Sequence, residues 1–329
     1  MRKIFYSFFS IILFLGLVYF GTGFYIAHTI LKIDYSCGVH EGSLPNTWST
    51  KLDYKDIKDK ERIELRKKFE ATKYHLQKWE NVTFSSRDPK ITISGWLFNY
   101  YPNKPVVIVV HGLFPNGKCK SEPNLIASLL INNGINALTI DLRNYGGSTI
   151  VSSYENLGLS EYQDVLGAFD FLQIKGFKKN QIGLLGISLG ASTVIFAAAK
   201  ESAIKAIWSE SSLANFNMAL TDEIDRYGFP NIFGFAVSFA GKLLTGIDPT
   251  DLNPVYALSN YQNYFFTHGE KDQRMYFSHF NFIKNYATIN GINAEYWSLP
   301  QAGHVDAVLM NSKEYGSRMK TFFEKHLGN

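Results

Sequence analysis

From Ile4 to Leu31 the chain carries no Asp, Glu, Lys or Arg. As a helix rising about 1.5 Å per residue, that run is roughly 40 Å long and can cross a bilayer. Arg2 and Lys3 precede it, whereas Lys32 is followed closely by Asp34, so the positive-inside rule keeps the N-terminus cytoplasmic and carries the rest across. The pattern predicts an N-terminal signal anchor over residues 1–31, making a single-pass protein with its domain on the extracytoplasmic side. A cleaved signal peptide, leaving a secreted product, is the rival, because Gly21 and Gly23 are small enough to precede a cleavage site. Against it, the apolar run continues through Phe24, Tyr25 and Ile26, beyond the about 7–15 residues of a usual signal core.

Residues 32–78 are polar and charged, with a turn signal at Leu44-Pro45-Asn46 and a Lys/Glu/Asp-rich helical pattern from about Asp56 to Lys78. This is expected to be a stalk, its helix resting on a neighbouring domain through Ile57, Ile63, Leu65, Phe69 and Leu76. From about residue 79 the period changes. Short β-rich runs appear at 81–86, 91–100, 106–110, 137–140, 182–185, 204–209, 264–267 and 294–299. The first two suit a hairpin across Arg87-Asp88-Pro89; the later ones alternate with helical stretches at 124–132, 159–174, 191–200, 276–290 and 312–326. Such alternation demands crossovers, hence an α/β fold with a mostly parallel eight-stranded sheet flanked by helices, over residues 79–329. Val106-Val107-Ile108-Val109-Val110 is apolar throughout, as a central strand covered on both faces must be. Residues 213–262 show no strand pattern and many aromatics, including Phe216, Tyr227, Phe229, Phe233, Phe235 and Phe239. They should form a helical cap, with these rings either lining an apolar pocket or fastening the cap to the domain.

Composition narrows the chemistry. Hydrophobic residues make up 46% of 329, enough for a large core and against disorder. A net charge of +4 gives no reason to expect a nucleic-acid partner. Two cysteines, Cys37 and Cys119, make neither a stapled scaffold nor a cysteine zinc site, although export would permit their pairing. Asn81-Val82-Thr83 is a glycosylation sequon, relevant only in a eukaryotic secretory pathway. No H-E-x-x-H, Walker A or strand-linked G-x-G-x-x-G pattern occurs, so no metal or diffusible cofactor is expected.

Gly186-Ile187-Ser188-Leu189-Gly190 follows the run 182–185 and opens a helical stretch, the context in which G-x-S-x-G marks a strained turn presenting a serine nucleophile. A serine hydroxyl needs a base, and the base an orienting acid. His304 follows the last strand in Gln301-Ala302-Gly303-His304, and Asp272 follows the preceding one in His268-Gly269-Glu270-Lys271-Asp272. Glu210 is the alternative acid, with Glu270 and Asp306 behind it; His28, His40, His75, His268 and His279 are expected to be surface, membrane or packing residues. His111-Gly112-Leu113-Phe114 comes directly after the apolar strand. Gly112 would let that turn aim the Leu113 N–H at an oxyanion, with the Leu189 N–H as second donor. Arg143 is expected to hydrogen-bond within its own turn.

These motifs, together with Asp141-Leu142-Arg143-Asn144-Tyr145-Gly146-Gly147-Ser148, resemble the α/β-hydrolase superfamily over residues from about 79 to 329. The likeness is greatest to exported or membrane-anchored hydrolases similar to prolyl-oligopeptidase catalytic domains and to simple esterases. In that family the turn after the fourth strand usually has glycine where this chain has Asn144; asparagine tolerates left-handed geometry, so the turn should survive. The resemblance implies a serine hydrolase acting on a small or lipid-like acyl substrate, an ester or thioester, with Ser188, His304 and Asp272 as triad. A peptidase of the same group is the alternative, and a silent hydrolase fold used as an anchored binding module is the reading from another class. Nothing in the sequence indicates an oligomeric state.

Overall fold

All five residues of Val106–Val110 are buried, and because successive side chains leave opposite faces of a strand, they divide between two cores. Val107 and Val109 pack with Leu125, Leu129, Phe322 and Phe323, while Val106, Ile108 and Val110 pack with Val165, Phe169, Val194 and Ile195. The structure is a computed structural model and describes residues 2–33, 42–50, 60–113 and 117–328.

The strands are Glu80–Ser85 (β1), Thr92–Phe98 (β2), Val106–Val110 (β3), Asn136–Ile140 (β4), Ile182–Ile187 (β5), Ala206–Glu210 (β6), Asn263–Gly269 (β7) and Asn293–Leu299 (β8). They form one sheet in the order β1-β2-β4-β3-β5-β6-β7-β8. β1 and β2 pair as an antiparallel hairpin and β2 runs antiparallel to β4; every later pairing is parallel. Val110 stands opposite Gly186, Ile187 opposite Glu210, and Gly269 opposite Leu299. The parallel strands therefore end on one edge, where their loops can share a site.

The helices are Arg2–Leu31 (α1), Lys60–Lys68 (α2), Ser121–Asn132 (α3), Tyr162–Ile174 (α4), Leu189–Lys200 (α5), Phe216–Arg226 (α6), Gly234–Thr245 (α7), Phe277–Ile289 (α8), Ala307–Met310 (α9) and Ser312–His326 (α10). Helices α3 and α10 cover one face of the sheet, and α4, α5 and α8 the other. Between β6 and β7, α6, α7 and short 3-10 turns make a helical cap.

Two expectations about the N-terminal segments change. The helix expected from Asp56 to Lys78 is limited to α2 plus a 3-10 turn at Ala71–Tyr74; residues 51–59, with Ile57, lie outside the described part. The segment expected as a stalk packs on the domain through Leu65, Phe69 and Leu76 as expected, but Trp48 and Ala71 enter the core as well, so it is part of the domain and not a separate stalk. The charge pattern concealed this, because Arg66 faces inward, 2% exposed, onto the carboxylates of Asp306 and Glu122. Helix α1 is the one described helix long and apolar enough to cross a membrane. Its last third is built into the protein, with Ile26, Ala27 and Leu31 packed on Val237 and Ala240 of α7. Beyond it, Ile33 N–H donates to Ser153 O and Glu155 N–H to Leu31 O. The Cys37–Cys119 pairing cannot be followed, since Cys37 lies outside the described residues; Cys119 is buried.

Candidate active site

Strand β5 ends at Ile187 and α5 starts at Leu189, leaving Ser188 alone to turn the chain. Its φ of 53° with ψ of −116° is a conformation that L-residues avoid, at a cost on the order of 1–3 kcal/mol. The turn closes because its flanks lack side chains. A Cβ on Gly186 would run into the Gly190 carbonyl, and one on Gly190 into the carbonyls of Val110 and His111. Ser188 N–H donates to Glu210 O at 2.8 Å, tying the elbow to the neighbouring strand end.

The loops after β7 and β8 bring Asp272 and His304 to this serine. His304 Nε2 lies 2.9 Å from Ser188 Oγ, and His304 Nδ1 lies 2.8 Å from Asp272 Oδ2. Asp272 is buried, and its other oxygen accepts the N–H groups of Arg274 and Met275, each at 2.8 Å. Burial alone would raise its pKa, but His304 and His268 together with these N–H donors hold it down at about 2. An ionised Asp272 fixes the proton of neutral His304 on Nδ1 and leaves Nε2 to accept from the serine. His268, assigned to packing from sequence, stands behind the carboxylate at 3.4 Å. Burial lowers its pKa, and Nε2–H donates to Met275 O at 2.8 Å, bracing the same loop.

On the other side of Ser188 lies the turn after β3. A Cβ on Gly112 would stand 3.1 Å from Ser188 Cβ, tighter than ordinary contact, so glycine lets this backbone pass without pushing on the serine. His111 is fully buried, its pKa lowered to about 4 by that burial. Its Nε2 accepts Leu142 N–H at 3.1 Å, which places the proton on Nδ1, 2.8 Å from Gly112 O. This imidazole thus clamps the turn. Leu113 and Leu189 line one cavity of about 300 Å³ with Ser188 and His304. Leu189 begins α5, so the positive end of the helix dipole faces the place where an oxyanion would form. Residues 114–116 lie outside the described part.

The other candidate acids have separate partners. Glu210 accepts from Tyr315 Oη at 2.7 Å, and Glu270 from Ser298 Oγ at 2.7 Å. Asp306 takes Arg62 and Arg66, both at 2.5 Å. These two arginines were not visible as site residues in the sequence, where they sit in a charged run far from every motif. Arg62 Nη2 also donates to His304 O at 2.8 Å, so α2 grips the loop that carries the histidine. Arg143 bonds Asp164 through its backbone N–H, Nε and Nη2. Asn144 adopts φ 67°, and its Oδ1 accepts from Val151 and Ser152 N–H. A buried Lys118–Asp141 ion pair, unforeseen from sequence, closes the neighbouring turn.

The cavity is lined on its apolar side by Ile30, Leu157, Leu213, Ala219, Met275 and Val305. None of the six cap aromatics reaches it. Phe216 packs with Leu213 and Leu252, Tyr227, Phe229 and Phe233 gather around Ile26, and Phe235 and Phe239 are exposed. Among the described residues, no three His, Cys, Asp or Glu side chains converge as a metal ion would require.

The sheet order, the serine elbow at its carboxyl edge and the histidine behind it define the α/β-hydrolase class. The chain belongs to the prolyl oligopeptidase family, whose profile matches residues 124–329. An esterase of Pyrococcus furiosus superposes with a TM-score of 0.62 at 20% identity, over 76% of this chain and 92% of that one. Acylaminoacyl peptidase of Pyrococcus horikoshii gives 0.58 at 19% identity, over 76% of this chain and 41% of that longer one. An alpha/beta hydrolase of a Penicillium species gives 0.56 at 17%, over 76% and 99%. Identities this low establish the shared fold, and the family adds the chemistry: a serine hydrolase of the α/β class. No curated protein matches the sequence.

Proposed function

We propose that this hydrolase is held in a membrane by α1 and cleaves ester-type bonds, carboxylic esters or thioesters, through an acyl-enzyme on Ser188. The observation that carries the reading is the hydrogen-bonded chain Asp272–His304–Ser188 opening into a largely apolar cavity. His304 Nε2 takes the Ser188 proton as Oγ attacks the acyl carbon. The N–H groups of Leu113 and Leu189 receive the oxyanion, each such donor contributing about 3–4 kcal/mol in the transition state. The proton then passes to the leaving oxygen or sulfur. Water, deprotonated by the same histidine, attacks the acyl carbon and releases the acid.

Ester work is favoured over an aminopeptidase by the cavity's own charges. An α-amino group needs an unpaired carboxylate, but Glu122 and Glu223 on the cavity wall are engaged by Arg66 and Arg274. Retention of α1 is favoured over cleavage near Gly21 or Gly23, because a cut there would fall inside the part of the helix that packs on the cap. Arg2 and Lys3 before α1 favour an extracytoplasmic domain under the positive-inside rule.

The test is an acyl-chain-length series of chromogenic esters beside aminoacyl and acylaminoacyl anilides, wild type against Ser188→Ala. Ester turnover without anilide turnover is expected. Anilide turnover of equal or greater kcat/KM would replace the ester reading by the peptidase one, and activity surviving in Ser188→Ala would remove the mechanism.

A further inference from the structure

We propose that the exposed face of α7 is a membrane-docking surface, which seats the catalytic cavity at head-group depth so that its substrate is an acyl ester resident in the bilayer. This rests on the anchor and the ester hydrolase of the preceding section. It adds where the cap lies and from which phase the substrate enters.

The argument begins with a length. Apolar side chains from Ile4 to Val18 are 47–75% exposed, and this free part of α1 is fifteen residues long. At about 1.5 Å per residue it rises roughly 22 Å, short of a hydrocarbon core of about 30 Å. About 20 residues are needed, and counted from Ile4 these end near Gly23. That glycine is where the cap meets the helix: a Cβ on it would overlap Ala236 of α7. Tyr19, deeper still, stacks on Phe233 at 5.5 Å and donates its hydroxyl to Ile232 O at 2.9 Å. Farther along, Leu31 approaches Gly241, so the two helices run side by side in the same direction. Inserting enough of α1 to span the hydrocarbon therefore brings the start of α7 to the hydrocarbon boundary, and any tilt of α1 brings it deeper.

The side chains there suit that depth. Ile232, Phe235, Phe239 and Leu243 recur at helical spacing and are 72%, 67%, 45% and 59% exposed. Phe20 of α1 meets both phenylalanines edge-on, at 6.4 Å from Phe235 and 5.6 Å from Phe239, so the stripe continues the lipid-facing surface of the anchor. No charged residue occurs from Tyr227 to Gly241. The hydroxyl of Ser238 is satisfied within its own helix by Gly234 O. Lys242, the first charge, stands where the helix leaves the boundary and pairs with Asp248. The continuity of the stripe with α1 identifies lipid as its occupant.

The same geometry fixes the height of the active site. Ile30 lines the catalytic cavity; it follows Gly23 by seven residues, about 10 Å along the helix. Leu157, Leu213 and Ala219 extend its apolar wall beside Ser188. An ester linkage at the base of a lipid head group thus reaches the serine while its acyl chain remains largely in the membrane.

The test uses the full chain in phosphatidylcholine vesicles. A tryptophan introduced as Phe235→Trp should have its added fluorescence strongly quenched by phosphatidylcholine brominated on the acyl chains. One introduced as Ile289→Trp, on α8 at an 83% exposed position, should not. Equal, weak quenching of both would overturn the docking, as would residue 235 cross-linking to a second copy of the chain. The double variant Phe235→Asp/Phe239→Asp should turn over a long-chain ester carried in the vesicles severalfold more slowly, yet keep its rate on a short water-soluble ester. Equal effects on both esters would overturn delivery from the bilayer. If wild type failed to react with a fluorophosphonate, the hydrolase reading would fall on its own, because the quenching result does not depend on catalysis.

Discussion

Replacing Glu210 by glutamine isolates the effect of one buried proton. The carboxyl ends β6 at 1% exposure, with Tyr315 as its hydroxyl donor. Burial drives its pKa from 4.5 up to about 8; Asp306 and Glu122 add repulsion, and the Tyr315 hydrogen bond opposes them. Between those two pH values the folded chain keeps a proton that the unfolded chain has released, so stability falls as pH rises. Each pH unit costs 1.36 kcal/mol, which accumulates to on the order of 5 kcal/mol by the time pH passes about 8. Glutamine cannot ionise, yet its carbonyl still accepts from Tyr315. Glu210→Gln and wild type should therefore unfold in urea at similar midpoints at pH 5, and at pH 8.5 the variant should be the more stable by several kcal/mol. Ester turnover should be unchanged, because His304 leans on Asp272. A stability difference independent of pH would refute the buried proton, and a collapse of turnover would restore Glu210 as the working acid.

Three further outcomes follow from the site. Asp272→Asn keeps the shape but loses the charge that sets the His304 tautomer; kcat should fall about 10³–10⁴-fold, measured on a short ester. Arg62→Ala removes the donor to His304 O, so kcat should fall roughly tenfold with KM little changed; Arg62→Lys should recover part of the loss, and a change confined to KM would argue against positioning. Gly190→Ala forces a Cβ against the Val110 and His111 carbonyls and should cost more than about 3 kcal/mol of stability, read by thermal unfolding, with loss of ester turnover.

What could be read from the chain beforehand was what local chemistry dictates. A run apolar at every position, such as Val106–Val110, has few ways to be buried, and two glycines around Ser188 after a strand leave one turn that fits. Asn144 took the left-handed conformation expected of it, whereas Arg143, expected to bond within its own turn, reaches instead to Asp164 on α4. Long-range pairings were not legible. Arg62 and Arg66 share a charged run with Lys67 and Lys68, and nothing local tells which of these side chains face Asp306 more than two hundred residues away. His268 looked like packing because its role comes from the loop that folds over it. The cap aromatics were named correctly as a group but not by partner, since only the path of α1 separates Phe233, packed on Tyr19, from Phe235, facing outward.

The central claim is that Ser188 is a nucleophile activated by His304. The most direct measurement is reaction of the full-length protein with a fluorophosphonate at neutral pH, followed by digestion and mass mapping of the adduct. Stoichiometric modification of the peptide bearing Ser188 is predicted, absent in Ser188→Ala and strongly slowed in His304→Ala. An unmodified Ser188, or labelling that proceeds equally in the two variants, would contradict it.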